Sequence, residues 1–177
     1  MGAHSTGGYR WTIPVAGRDR LAAARAGHDP AVIAKLRSGY VALSQVQFLP
    51  GYCLLIADAD DVEHLTDLDR PARQRFLTDL GLLGEALMAA CAAWDPAFSR
   101  LDYEILSAGE RLLQAHVIAR YAWEPVELRD GPVWRHPPAR WSDPAHALGR
   151  QHDRLIEAIT RELSRALADG YGPIGHG

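Results

Sequence analysis

Residues 70 to 93 carry Phe76, Leu80, Leu83, Leu87 and Cys91 at steps of three and four. That period predicts a long helix with one apolar face, and one such face needs a second layer to cover it. Asp95-Pro96 ends the helix, because proline disfavours helical geometry in the residue before it. The neighbouring runs have a different pattern. Residues 40–48 alternate, with Val41, Leu43, Val46 and Phe48 apolar and a slip near Gln45, which predicts a half-buried strand. Leu49-Pro50-Gly51 reads as a turn, and residues 52–57 as a nearly continuous apolar central strand. The two strands should form an antiparallel hairpin. Residues 101–106 and 113–121 read as two further strands, linked through Ser107-Ala108-Gly109-Glu110-Arg111. A long helix on an antiparallel sheet is an α+β fold.

The flanks are less regular. A short helix starts at Asp19 or Arg20 and reaches Ala26, and Asp29-Pro30 supplies an N-cap and a first-turn proline for a helix through Arg37. Residues 124–141, rich in proline and tryptophan, read as irregular chain wrapping the surface. Asp143-Pro144 opens a last helix to about Ala168, with Leu148, Leu155, Ile159, Leu163 and Leu167 on one face. The organisation is one domain over 21–168, an N-terminal tail over 1–20 and a flexible C-terminal tail over 169–177.

The net charge is −3 over 177 residues, so no overall basic field attracts nucleic acid or an anionic membrane. No apolar run in the sequence approaches the roughly 18 residues of a membrane span, and residues 1–10 lack the apolar core of a signal peptide. A cytoplasmic location is expected. Cys53 and Cys91 sit in apolar surroundings and read as buried, inert thiols. The acidic run Asp58-Ala59-Asp60-Asp61, with Glu63 and His64, reads as a solvated loop rather than a metal site. No metal or cofactor is expected, since no zinc spacing or phosphate-binding glycine loop is present.

The polar residues concentrate on one strand. In Leu112-Leu113-Gln114-Ala115-His116-Val117-Ile118-Ala119-Arg120-Tyr121, side chains alternate between faces, so Leu112, Gln114 and His116 share one face. This run resembles His-x-His-x-His-Val-Ile-Pro-Arg-Tyr, the signature of the histidine triad family of nucleotide hydrolases and transferases, with only the third histidine present as His116. Two further stretches are similar to one bacterial branch of that family. They are the hairpin Leu43-Ser44-Gln45-Val46-Gln47-Phe48-Leu49-Pro50-Gly51-Tyr52-Cys53-Leu54-Leu55, and Asp102-Tyr103-Glu104-Ile105-Leu106-Ser107-Ala108, in which Tyr103 lies at the branch's own distance from His116. Pro132-Val133-Trp134 extends the likeness, which runs from about Tyr40 to Trp134.

The resemblance implies a HIT-like α+β fold and a phosphate-binding face over positions 112, 114 and 116. It also implies a change of chemistry. Gln114 stands where the family's nucleophilic histidine stands, and an amide cannot form the phosphoramidate that a neutral imidazole forms. Gln45 replaces the aspartate that meets the ribose, Ala59-Asp60-Asp61-Val62 replaces a basic loop, and Ser107-Ala108 replaces Gly-Asn. The implied site has His116 as acid/base and Gln114, Arg111, Gln47, Gln45 and Ser107 as ligand-binding residues. Arg111 and Arg120 could pair with an anionic ligand, although Arg120 matches the family's arginine and equally suits a role in structure or dimer contact, and Trp123, Trp134 and Trp141 either stack on a flat ligand or staple the irregular segment. Glu104 is expected to face away from Asp102. The function implied is binding of a small, nucleotide-like ligand, such as a purine nucleotide, without phosphoramidate chemistry. The alternative is a repurposed enzyme, hydrolytic or biosynthetic, that uses His116 as acid/base. The resemblance also implies a homodimer through the long helix and the sheet edge.

Overall fold

The computed structural model describes residues 18–105 and 112–171. Five strands, β1 (Val32–Lys35), β2 (Gly39–Leu43), β3 (Cys53–Ala57), β4 (Phe98–Ile105) and β5 (Gln114–Tyr121), form one sheet in the order β1-β2-β3-β5-β4. Every neighbouring pair is antiparallel. The expected hairpin is β2–β3, with Leu43 opposite Cys53 and Gly39 opposite Ala57. The α+β architecture is the expected one.

Helix α2 (Arg70–Trp94) covers one sheet face. Asp69 caps it by accepting from the Ala72 amide at 2.7 Å, and Pro71 lies in its first turn, where no amide hydrogen is needed. Its buried Phe76, Leu80, Leu83, Leu87 and Cys91 meet Val41, Leu43, Cys53, Leu55, Ala115 and Val117 from the sheet. Helix α5 (Asp153–Tyr171) packs Leu155, Ile159 and Leu163 into the same core. Two smaller helices, α3 (Val126–Arg129) and α4 (Pro138–Ser142), interrupt the proline- and tryptophan-rich stretch. By length and composition α2 alone among the described helices could cross a membrane, but 56% of its apolar window is buried in the fold, as expected of a core helix. Cys53 and Cys91 are buried free thiols, and burial holds the Cys91 thiol up at about 11.

Three expectations about local structure are corrected. The helix expected from Asp29-Pro30 to Arg37 is a turn followed by β1. Asp29 accepts from the Ala31 amide at 2.9 Å in an Asx-type turn instead of capping a helix, and Val32, Ala34 and Lys35 pair along β2 with a bulge at Ile33. The strand expected over 40–48 leaves the sheet after Leu43. Beyond it the Gln47 amide donates to the His146 carbonyl at 2.7 Å, and the Leu148 amide to the Gln45 carbonyl at 2.9 Å. That pairing holds the chain extended from Ala147 to Gly149, so the last helix starts at Asp153 and not at Asp143, and it continues to Tyr171. At the other end α1 (Arg18–Arg25) is the short helix expected from Asp19 or Arg20 to Ala26.

The second sheet face carries a smaller apolar cluster of Ala42, Leu54, Ile56 and Leu112, onto which α1 places Leu21. Helix α1 also neutralises the acidic loop, because Arg25 bonds Asp58 at 2.7 Å and Asp60 at 2.8 Å. Lys35 pairs with the other oxygen of Asp58. This loop is a docking point for α1, and among the described residues no group of three or more potential metal ligands is assembled.

Candidate functional site

The second face of β5 carries Gln114, His116 and Arg120. In the two strand ladders His116 lies between Leu54 of β3 and Glu104 of β4, and Gln114 lies opposite Ile56. Both Gln114 and His116 are buried, at 0% and 1% exposure. The two leading candidates are therefore together and on one face, as strand alternation requires.

His116 is held from behind. Tyr52, on the same sheet face as Leu54 by parity, brings its hydroxyl to 2.6 Å from His116 Nδ1. Burial lowers the imidazole to about 4, so the ring is neutral near pH 7, and burial raises the Tyr52 phenol far above its usual range. The phenol therefore donates its hydrogen to Nδ1, which assigns the ring hydrogen to Nε2. Nε2 is itself buried and has no hydrogen-bond partner among the described residues.

Glu104 stands directly across from His116. The expectation that it turns away from Asp102 is overturned: residues two apart on a strand share a face, and Asp102 opposes Ile118 while Glu104 opposes His116. Burial, reinforced by the charge of Asp102, pushes the Glu104 carboxyl up to about 7. Neither Tyr52 nor Glu104 was singled out as a site residue from the sequence, although strand parity was the signal that could have found both.

Arg120 has a different task. It is fully buried, and its guanidinium donates from Nε to both Glu124 oxygens at 3.0 Å and from Nη2 to Glu124 Oε2 at 2.9 Å. Nη1 donates to Asp102 at 2.5 Å and to the Gly131 carbonyl at 2.8 Å, and Nη2 also reaches the Leu128 carbonyl at 2.9 Å. Glu124 accepts in addition from the Tyr121 amide at 2.7 Å and pairs with His136 Nε2 at 3.0 Å. This network ties the segment after β5 to the sheet and leaves Arg120 no free donor for an anionic ligand. The tryptophans serve the same segment. Trp141 meets Phe48 edge-on at 4.8 Å, and Trp123 stacks on Tyr121 at 4.9 Å while donating to Asp95 at 3.0 Å.

The remaining candidates divide. Gln47 is buried in the hairpin turn, where its amide nitrogen donates to the Ser44 and Tyr52 carbonyls at 2.8 and 2.9 Å and its oxygen accepts from the Gly51 amide at 3.0 Å. Its amide shapes the turn that delivers Tyr52. Gln45 is exposed on the loop after β2. Ser107 and Arg111 lie outside the described residues.

These groups set the acid response. Burial alone would raise Glu124, but its bonds to His136 and Arg120 hold it down at about 2, against an ordinary 4.5. Its stabilising effect is complete above pH 4.5 and is lost as pH falls toward 2. His116, lowered from 6.5 to about 4, removes stability as pH falls through that window, because the unfolded chain takes up a proton that the buried ring refuses. Glu104, raised from 4.5 to about 7, acts oppositely and favours the fold as pH drops from 7 to 4.5. We predict urea midpoints that change little from pH 7 to 4.5 and fall steeply below 4.5. In Glu104→Gln the decline should begin near pH 6.5. A mutant profile identical to wild type would contradict this assignment.

No family profile matches the sequence, and no curated protein does. Solved structures do match. A histidine triad protein from Marinobacter aquaeolei VT8 superposes with a TM-score of 0.60 at 20% identity, covering 85% of this chain and 94% of that one. One from Sinorhizobium meliloti 1021 gives 0.62 at 20% identity, with coverages of 78% and 93%. A hypothetical histidine triad nucleotide-binding protein from Sulfolobus tokodaii strain7 gives 0.60 at 14% identity, with coverages of 89% and 98%. At these identities the likeness speaks to architecture. The strand order, the long helix on one face and the polar strand on the other belong to a histidine triad-like α+β fold.

Proposed function

We propose that this chain binds a small, nucleotide-like ligand over the β5 face of Gln114 and His116, and that it does so without phosphoramidate chemistry. The observation that carries the reading is the buried His116 Nε2, which has no partner among the described residues and shares its strand face with Gln114. A buried ring nitrogen without a partner costs free energy that a ligand atom would recover. At the position of the family nucleophile Gln114 offers an amide, which can hydrogen-bond an oxygen but cannot carry a phosphoryl group. A nucleotide is the ligand class that the name of the Sulfolobus tokodaii neighbour suggests, and the sequence resemblance narrows it to a purine nucleotide.

A second reading, a repurposed enzyme with His116 as acid/base, draws support from Glu104, whose titration near pH 7 supplies a proton-transfer partner across the strand. The two readings separate by turnover in the wild-type protein.

Thermal unfolding against AMP, GMP, adenosine and diadenosine tetraphosphate tests binding. At a hundredfold excess over Kd a ligand adds about 2.7 kcal/mol, a rise in Tm of roughly 5–11 °C for a chain of this size. His116→Ala should abolish that rise. Gln114→His should gain hydrolysis of the dinucleotide if the rest of the phosphate site persists. No shift with any compound, together with no turnover in Gln114→His, would discard the nucleotide reading.

The same reading includes a second copy of the chain. β4 is an edge strand, and Tyr103 on it lies over Gly84 of α2, beside exposed Leu77 and Met88 on the same helix stripe. An open strand edge continuous with an apolar stripe is suited to self-association. Light scattering at micromolar concentration should return twice the chain mass; a monomer mass excludes the dimer.

A further inference from the structure

Two buried polar atoms without partners among the described residues belong to neighbouring side chains of β4 and β5. Glu104 and His116 are register partners, so their side chains leave the sheet on the same face, with Cβ atoms roughly 4.5–5.5 Å apart as in any such pair. Glu104 Oε2 and His116 Nε2 are both buried, and neither bonds the other or any other described group. Two such atoms in adjacent side chains mark a place for a third group.

The chemistry of that group follows from the two atoms. With Nδ1 engaged by the Tyr52 hydroxyl, His116 presents an N–H donor at Nε2. The Glu104 carboxylate is an acceptor. A hydroxyl satisfies both at once, accepting from Nε2–H and donating to the carboxylate. A phosphate can accept from the imidazole, but it sets its own negative oxygens against the carboxylate. Glu104, but not His116, also lines a groove of about 480 Å³ along β4, with Asp102, Asp130, Gly131 and Trp134 around it, so a ligand would enter from the Glu104 side. That volume lies within the range of small-molecule sites.

We propose that Glu104 and His116 form a two-point subsite that takes an uncharged hydroxyl group of the ligand in preference to a phosphate. The proposal rests on the binding function above and specifies its ligand class: a nucleoside or other polyol whose free hydroxyl enters the subsite at the place where a nucleotide carries its phosphate. Glu104 is thereby a specificity residue that touches the ligand. The charged and titratable groups around it are Asp102 and Arg100 on its own strand, the neutral His116 and Arg120 on β5, and Asp130 across the groove. Asp102 is already paired with Arg100 at 2.9 Å and with Arg120, so Glu104 carries the unpaired charge of the subsite.

Adenosine and AMP are the direct probes, since they differ only by a hydroxyl against a phosphate. Calorimetric titrations of the full chain at pH 6 and pH 8 should show adenosine bound more tightly than AMP at pH 8. AMP affinity should fall about tenfold between the two pH values, as Glu104 loses its proton near pH 7. Glu104→Gln, close in shape and uncharged, should remove that fall and bring AMP level with adenosine or ahead of it. AMP bound tenfold more tightly than adenosine at both pH values would overturn the subsite and leave nucleotide binding standing. So would adenosine binding that Glu104→Gln leaves unchanged. Binding of neither compound would overturn both this proposal and the nucleotide reading. Circular dichroism of the variant, expected to match wild type, shows that any loss belongs to the site and not to the fold.

Discussion

Replacing Arg120 by alanine is expected to lower the unfolding free energy by about 3–5 kcal/mol, the range measured when one partner of a buried ion pair is removed. The reason lies in what remains. Glu124 and Asp102 would lose the cation between them, and the Leu128 and Gly131 carbonyls would lose their donor. Glu124 is fully buried, so its charge could not turn to water. Arg120→Lys should also be costly, because a single ammonium cannot reach two carboxylates and two carbonyls in one plane. Urea unfolding checks this: the midpoint should drop with the m-value unchanged, and Tm should fall by roughly 6–20 °C. A loss under about 1 kcal/mol would show that the network is incidental to stability.

Gly51→Ala should cost roughly 2–6 kcal/mol, combining a strained backbone with overpacking of about 1–3 kcal/mol each. Gly51 has φ of 93°, a region that side chains other than glycine's rarely enter, and an added Cβ would lie 2.5 Å from Cys91 Sγ on α2. The turn has little room to shift, since Gln47 binds the Gly51 amide and Tyr121 donates to the Pro50 carbonyl at 2.6 Å. Gly27 is the control. Its φ is 71°, but a Cβ there meets nothing within 4 Å, so Gly27→Ala should cost only about 1–2 kcal/mol. Equal losses at both glycines would contradict the packing argument. Because Gly51 precedes Tyr52, its substitution should also disturb the phenol–imidazole bond at His116.

Much of this architecture could be read from the chain where one period dominates. Phe76 to Cys91 repeat at helical steps and form the buried face of α2, and the apolar run at Cys53–Ala57 is the fully buried central strand. Misreadings arose where two local signals competed. Asp29-Pro30 is a good helix start, but the chain over Val32–Lys35 gains more from pairing along β2. Asp143-Pro144 does begin a helical turn, with Asp143 accepting from the Ala145 amide at 2.9 Å, yet a distant loop then captures residues 146–148. No local pattern encodes that pairing. At the site, strand alternation placed Gln114 beside His116 correctly. The roles of Gln47 and Arg120 depend on groups brought in by the turn at residues 49–51 and by residues 124–131, and only the folded chain assembles those.

The central claim is that a ligand occupies the β5 face at His116 Nε2. The most direct measurement is ¹⁵N NMR of the His116 ring during titration with adenosine and AMP, using His116→Ala to assign the signal. The free protein should show a neutral ring with its hydrogen on Nε2, and ligand should shift the Nε2 resonance in step with calorimetric saturation while Nδ1 stays bonded to Tyr52. Saturable binding that leaves the His116 ring resonances unmoved would place the ligand elsewhere and contradict the account.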